Sequence, residues 1–190
     1  MKIGLYFGSF NPIHHAHLII ANHILNEGLV NKVWFVVSPH NPLKETSSLL
    51  DENHRLHLVN TAIENDNRMK ATDIEFSLPR PSYTAVTLAH LTEKYPQHQF
   101  VVTMGSDSFQ NIKRWKNYTY ILDNYEILIY NRPGFTVNTQ NHLKITVLDA
   151  PLLELSATEI RKLIKEKKSL KYLLPNNVIA EIEKGGYYRK

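Results

Sequence analysis

Five short apolar runs, Ile3–Phe7, Val33–Val37, Phe100–Met104, Ile127–Tyr130 and Ile145–Leu148, constrain the fold of this 190-residue chain more than any other feature. Three of them are rich in β-branched residues, and each has the length of a strand buried on both faces. The stretches between them carry helical spacing instead: Leu18, Ala21, Ile24 and Leu25, then Leu56, Val59 and Ile63, then Val86, Leu88, Ala89 and Leu91. Parallel strands need crossover connections and helices supply them. The alternation therefore predicts an α/β fold, a doubly wound, mostly parallel sheet with helices on both faces.

Thr72–Phe76 reads as one more strand. Pro79-Arg80-Pro81 then imposes an extended break before a helix that begins near Ser82. The C-terminal quarter changes character. Ile160, Leu163 and Ile164 recur at helical spacing, as do Val178, Ile179 and Ile182, so a helical segment closes the chain. Ser156 and Glu159 have the spacing of a capping box for the first of these helices, and Gly185-Gly186 stops the second. There is no repeat, low-complexity tract or long linker, and the expectation is a single domain over residues 1–190.

Composition removes several classes of function. With no cysteine, disulfide frameworks, thiolate zinc sites and cysteine nucleophiles drop out together, and the cytoplasm is the expected compartment. Gly8 and Asn11-Pro12 interrupt the N-terminal apolar run before it could form a signal sequence. No apolar stretch approaches the roughly 20 residues that span a bilayer, so no membrane role is expected. The net charge of +4 is mild and favours phosphorylated partners weakly. Lys162, Lys165, Lys167, Lys168 and Lys171 read as a solvated helix face rather than a nucleic-acid surface.

Ligands of doubly wound sheets sit beyond the carboxyl ends of the strands, which directs attention to the segment after the first strand, Gly8–His17, GSFNPIHHAH. A flexible turn precedes a helix carrying His14 and His17. Unpaired N–H groups at that helix start suit an anion, and Gly8 lets it approach the main chain. Histidines three apart share a helix face, where their N–H groups can donate to oxygens that gain charge as a phosphorus is attacked. Surface polarity or a metal site is the alternative for such a pair, and no third ligand is apparent nearby; no protein metal site is expected.

These residues resemble the G-[ST]-F-[DN]-P-x-H-x-G-H signature of the nucleotidyltransferase superfamily related to class I aminoacyl-tRNA synthetases, with a departure at Ala16, where the pattern has Gly. Ser156-Ala157-Thr158-Glu159-Ile160-Arg161 is similar to the same superfamily's S-[SA]-T-x-I-R motif, a second helix start able to cradle phosphate. Between the two, Pro39–Lys44, Pro81–Thr84 with Thr87-Leu88, Gly105–Asp107 with Trp115, Asn131–Gly134 and Gly186–Tyr188 resemble bacterial nicotinate-nucleotide adenylyltransferases over nearly the whole chain.

The resemblance implies a Rossmann-like fold and a reaction in which ATP and nicotinate mononucleotide give deamido-NAD and pyrophosphate with Mg²⁺ carried on the ATP phosphates. It implies that His14, His17, Lys44 and Arg161 contact the reacting phosphates. Gly8, Ser9, Phe10, Gly105, Asp107, Ser156 and Thr158 would complete the ATP site together with His17 and Arg161. Asn11, Lys44, Tyr83, Thr84 and Trp115 would bind the mononucleotide, Trp115 by stacking on the pyridine ring. Each has a plainer alternative: a solvated loop lysine for Lys44, a helix cap for Asp107, a core position for Trp115. Arg132 could hold a phosphate or merely end a strand. Rival expectations are a relative acting on nicotinamide mononucleotide or another phosphorylated acceptor, and a non-catalytic nucleotide- or RNA-binding module. No nucleic-acid partner is expected, and a homo-oligomer is left open.

Overall fold

The computed structural model describes residues 1–40, 49–137 and 144–189. In chain order its elements are β1 (Lys2–Gly8), α1 (His15–Asn26), β2 (Lys32–Val37), α2 (Glu52–Ile63), β3 (Met69–Thr72), α3 (Thr84–Lys94), β4 (Gln99–Gly105), α4 (Ser106–Gln110), α5 (Tyr118–Asn124), β5 (Glu126–Tyr130), β6 (Ile145–Leu148), α6 (Ala157–Lys165) and α7 (Asn176–Gly185). The strands form one six-stranded sheet in the order β3-β2-β1-β4-β5-β6, and every pairing in it is parallel. This is the doubly wound order with its reversal between β1 and β4.

Successive residues of one strand feed opposite layers of core. In β2, Val33, Phe35 and Val37 join a cluster with Ile20 and Ile24 of α1, Leu58 and Val59 of α2, Ile160 of α6 and Val178 of α7. Trp34 and Val36 join the other cluster, with Leu88 and Leu91 of α3, Phe109 of α4 and Ile121 of α5. Because both faces of β1, β2, β4 and β5 are covered, these strands read as unbroken apolar runs, which is why they could be found in the sequence; β3, Met69–Thr72, carries no such run and was not expected at that place. Among the described residues no helix is long and apolar enough to cross a membrane.

Local signals end the helices where expected. Ser156 Oγ accepts from the Glu159 N–H at 3.2 Å and caps α6. Gly186 takes the left-handed conformation (φ 64°) that closes α7, and the Tyr187 N–H returns to the Ile182 carbonyl at 3.1 Å. The helix expected near Ser82 starts at Thr84 with Tyr83 as its cap, and His14 caps α1 instead of lying within it.

The expected strand Thr72–Phe76 is corrected: β3 stops at Thr72, where its pairing with Val36 ends, and Ile74–Ser77 is a 3₁₀ turn. Thr72 Oγ1 accepts the Ile74 N–H, and the Asp73 carbonyl accepts the Phe76 N–H at 2.7 Å, so the local hydrogen bonds displace the ladder. In the sequence Ile74 and Phe76 alternate with polar residues as in a half-buried strand, yet they pack on opposite core layers, which residues two apart on one strand do not.

Between β1 and α1 the chain turns through Phe10, which has φ 45° and a buried ring. That ring lies edge-on to Tyr6, His17 and Phe35. A Cβ at Gly8 would stand 2.8 Å from Phe10 Cζ. We expect Gly8→Ala to cost about 1–3 kcal/mol in equilibrium unfolding, because the trapped ring must move with its neighbours; an unchanged denaturation midpoint would contradict this packing.

Candidate active site

A cleft of about 610 Å³ opens at the carboxyl ends of the strands, at the β1/β4 reversal. It gathers Gly8, Ser9, Phe10 and Asn11 from the turn after β1, and His14 and His17 from the start of α1. Tyr83 and Thr84 enter from the start of α3, and Gly105 and Asp107 from the end of β4 and the first turn of α4. Trp115, Arg132, Ser156, Thr158 and Arg161 complete the wall. Thus every expected site residue that lies among the described residues reaches one cavity. Lys44 lies outside the described residues.

The two histidines form one unit. Their rings stack with centroids 3.7 Å apart, and the His14 N–H donates to His17 Nδ1 at 3.3 Å. With Nδ1 as acceptor, the ring proton of His17 sits on Nε2. Edge contacts from Tyr6 and Phe10 further restrict the His17 ring. Burial, with help from Arg132 and His15, holds the His14 pKa down at about 3. His14 is therefore neutral at physiological pH and keeps one ring N–H to donate.

Arg161, one turn into α6, donates to the Asn11 carbonyl at 2.9 Å and to Thr158 Oγ1 at 3.3 Å, so the turn after β1 and the start of α6 are hydrogen-bonded to each other. Asn11 Oδ1 accepts the Leu50 N–H at 3.1 Å, so that oxygen braces the neighbouring loop. Tyr83 caps α3 without a side-chain hydrogen bond to the helix, and its first turn contains no acidic residue. The start of α3 thus joins those of α1 and α6 in placing partial positive charge on the cleft.

Asp107 is not the cap of α4, since Gly105 occupies that position. Its carboxylate lies 3.7 Å from Arg132 Nε, which brings Arg132 into the cleft instead of leaving it as a strand end. Trp115 is half-buried, packed against the core on one side and lining the cleft on the other. Ala16 does not line the main cleft; it borders a recess of about 10 Å³ beside His14 and His17.

Two buried charged residues were missed. Arg55 has no exposed surface, yet its guanidinium donates to the carbonyls of Ser9 (2.6 Å), Leu50 (2.7 Å), Ser38 (2.8 Å) and Pro39 (3.2 Å). It shares the buried face of α2 with Leu58 and Val59, a spacing that would have revealed it had an arginine been admitted to an apolar stripe. Glu75, on the 3₁₀ turn and 1% exposed, accepts from Thr87 Oγ1 at 2.8 Å and lines the cleft. Burial pushes its carboxyl up, with the hydroxyls of Thr87, Ser38 and Ser82 opposing that shift. Nothing in its sequence neighbourhood marked it as buried.

The depressed pKa of His14 has a consequence for stability. Unfolded, the ring takes up a proton near its ordinary value of 6.5; folded, it does so only near 3. The unfolded chain binds more protons throughout that window, so His14 makes stability fall as pH is lowered through it. We expect the Tm of His14→Asn to decline less steeply than that of the parent between about pH 6.5 and 4. Parallel Tm curves would show that His14 titrates normally.

The cytidylyltransferase-like family model matches residues 5–163. A Flavobacterium psychrophilum protein named "Probable nicotinate-nucleotide adenylyltransferase" is 50% identical over 100% of both chains. A Cytophaga hutchinsonii protein of the same name is 47% identical over 99% of this chain and 98% of its own. Among solved structures, a Plasmodium falciparum nicotinic acid mononucleotide adenylyltransferase complexed with NaAD superposes with a TM-score of 0.85 at 23% identity, covering 98% of this chain and 97% of that one, and shares the fold. The chain belongs to the cytidylyltransferase-like family and, by identity of up to 50% over its whole length, to the nicotinate-nucleotide adenylyltransferases within it.

Proposed function

We propose that this enzyme transfers the adenylyl group of ATP to nicotinate mononucleotide, forming deamido-NAD and pyrophosphate in the synthesis of NAD. The observation that carries this is the meeting of two helix starts, His14–His17 and Ser156–Arg161, in one cleft that also holds the start of α3 and the half-buried Trp115. The names of the close relatives support the choice of substrates.

A phosphate oxygen of the mononucleotide forms a bond to the α-phosphorus of ATP, and the bond from that phosphorus to the bridging oxygen breaks. Pyrophosphate leaves with the electron pair. The attacking phosphate is already an anion at neutral pH, so no protein nucleophile or general base is needed. Alignment of two polyanions and relief of their repulsion supply the rate.

His14 and His17 donate N–H groups to the phosphate oxygens, and Arg161 and Lys44 add charge. Gly8, Ser9, Phe10, Ser156 and Thr158 cradle the triphosphate, and Gly105 and Asp107 receive the adenosine ribose. Asn11 supports the acceptor through the loop it braces. Tyr83 and Thr84 frame the pyridine substituent while Trp115 stacks on the ring. Among the described residues no cluster of His, Cys, Asp or Glu has the make-up of a metal cage, so Mg²⁺ is assigned to the substrate as Mg-ATP, ligated by phosphate oxygens and water.

Purified protein given Mg-ATP and either pyridine mononucleotide should release pyrophosphate, with the higher kcat/KM for the nicotinate form. A preference for the nicotinamide form would refute the substrate, and absence of pyrophosphate with every acceptor would favour a binding module. His17→Ala should lower kcat by at least about 10² with a smaller change in KM for ATP, since the lost N–H acts on charge that develops in the transition state. An unaltered kcat would remove His17 from the chemistry.

A further inference from the structure

Resting on the adenylyl-transfer proposal, we infer that Lys116 is a specificity-determining residue that reads the charge of the pyridine substituent and selects the acid over the amide. Lys116 follows Trp115 directly and lines the cleft. Its Nζ lies 4.5 Å from the centre of the Tyr83 ring, the cap of α3. The ammonium therefore spans from the wall that carries the stacking tryptophan to the wall that frames the ring substituent. A pyridine held between Trp115 and Tyr83 would present its substituent close to this charge.

Among the described residues, the surrounding charges leave the ammonium available. No carboxylate pairs with Lys116 among the described residues. Of the cleft carboxylates, Asp107 faces Arg132 at 3.7 Å. Glu75 is 1% exposed, is hydrogen-bonded by Thr87, and has its carboxyl pushed toward the neutral form by burial. Arg114, on the other side of Trp115, adds to the positive field at the same cleft.

Nicotinate and nicotinamide groups have nearly the same size and shape, and a backbone N–H that donates to a carboxylate oxygen also donates to a carboxamide oxygen. Their difference is one negative charge, and a nearby cation in a partly solvated cleft can read it. The contact with Tyr83 keeps a flexible side chain over the site without neutralising it.

The test measures kcat/KM for nicotinate and nicotinamide mononucleotides with Mg-ATP in the parent, Lys116→Met, Lys116→Arg and Lys113→Met. Lys113 is exposed and does not line the cleft, so it controls for loss of one positive charge. Lys116→Met should reduce the acid-to-amide ratio about tenfold through KM for the acid, leave the amide value unchanged, and be restored by Lys116→Arg. Added salt should lower the ratio in the parent and leave it flat in Lys116→Met. An unchanged ratio in Lys116→Met, or an equal fall in Lys113→Met, would overturn the inference. If the parent turns over neither mononucleotide, the adenylyl-transfer proposal itself fails, an outcome separate from both.

Discussion

The cleft depends on a guanidinium that never meets water. Burying a cation costs several kcal/mol, and Arg55 is accommodated because four carbonyls from three loops converge on it. Those loops are the turn after β1, the end of β2 and the segment entering α2. Each would be left with an unsatisfied buried oxygen without the arginine. The Ser9 bond also orients the loop. In a trans peptide the carbonyl and the following N–H point in opposite directions, so drawing the Ser9 oxygen toward Arg55 aims the Phe10 N–H away from it. The direction of a donor in the phosphate turn is thus set from beneath.

Around this anchor the charges are arranged for a polyanion. His14 is buried and neutral, Arg161 is shared between the turn after β1 and the start of α6, and the starts of α1, α3 and α6 direct their partial positive charge at one cavity. The carboxylates are restrained, Asp107 by Arg132 and Glu75 by burial. Stacking of His14 on His17, with Tyr6 and Phe10 at the edges, holds the imidazoles before any ligand arrives. Little reorganisation is then required at the moment charge develops, which is what makes such donors effective.

What could be read in advance followed from contiguity. The inner strands were visible because a sheet covered on both faces demands continuous apolar runs, and the two motifs because a turn and the helix start after it are neighbours in the chain. Thr72–Phe76 misled because Ile74 and Phe76 alternate as a strand would, while hydrogen bonds through Thr72 and Asp73 make a turn. Arg55 escaped notice because periodicity arguments assign arginine to solvent, and only the convergence of distant carbonyls makes its burial tolerable. Glu75 and Lys116 carry no local mark of their place on the cleft.

By itself, the sequence determined the doubly wound architecture, the places where turns lead into helix starts and the residue types those starts carry, because each is a property of a short segment. The tertiary structure decided that residues 9, 38, 39 and 50 share one buried cation, that Arg161 reaches back to Asn11, and that Lys116 lies over Tyr83. Those relations join positions up to 150 residues apart. They exist only where the parallel sheet brings the ends of β1, β2 and β4 to one edge, so no local pattern could have shown them.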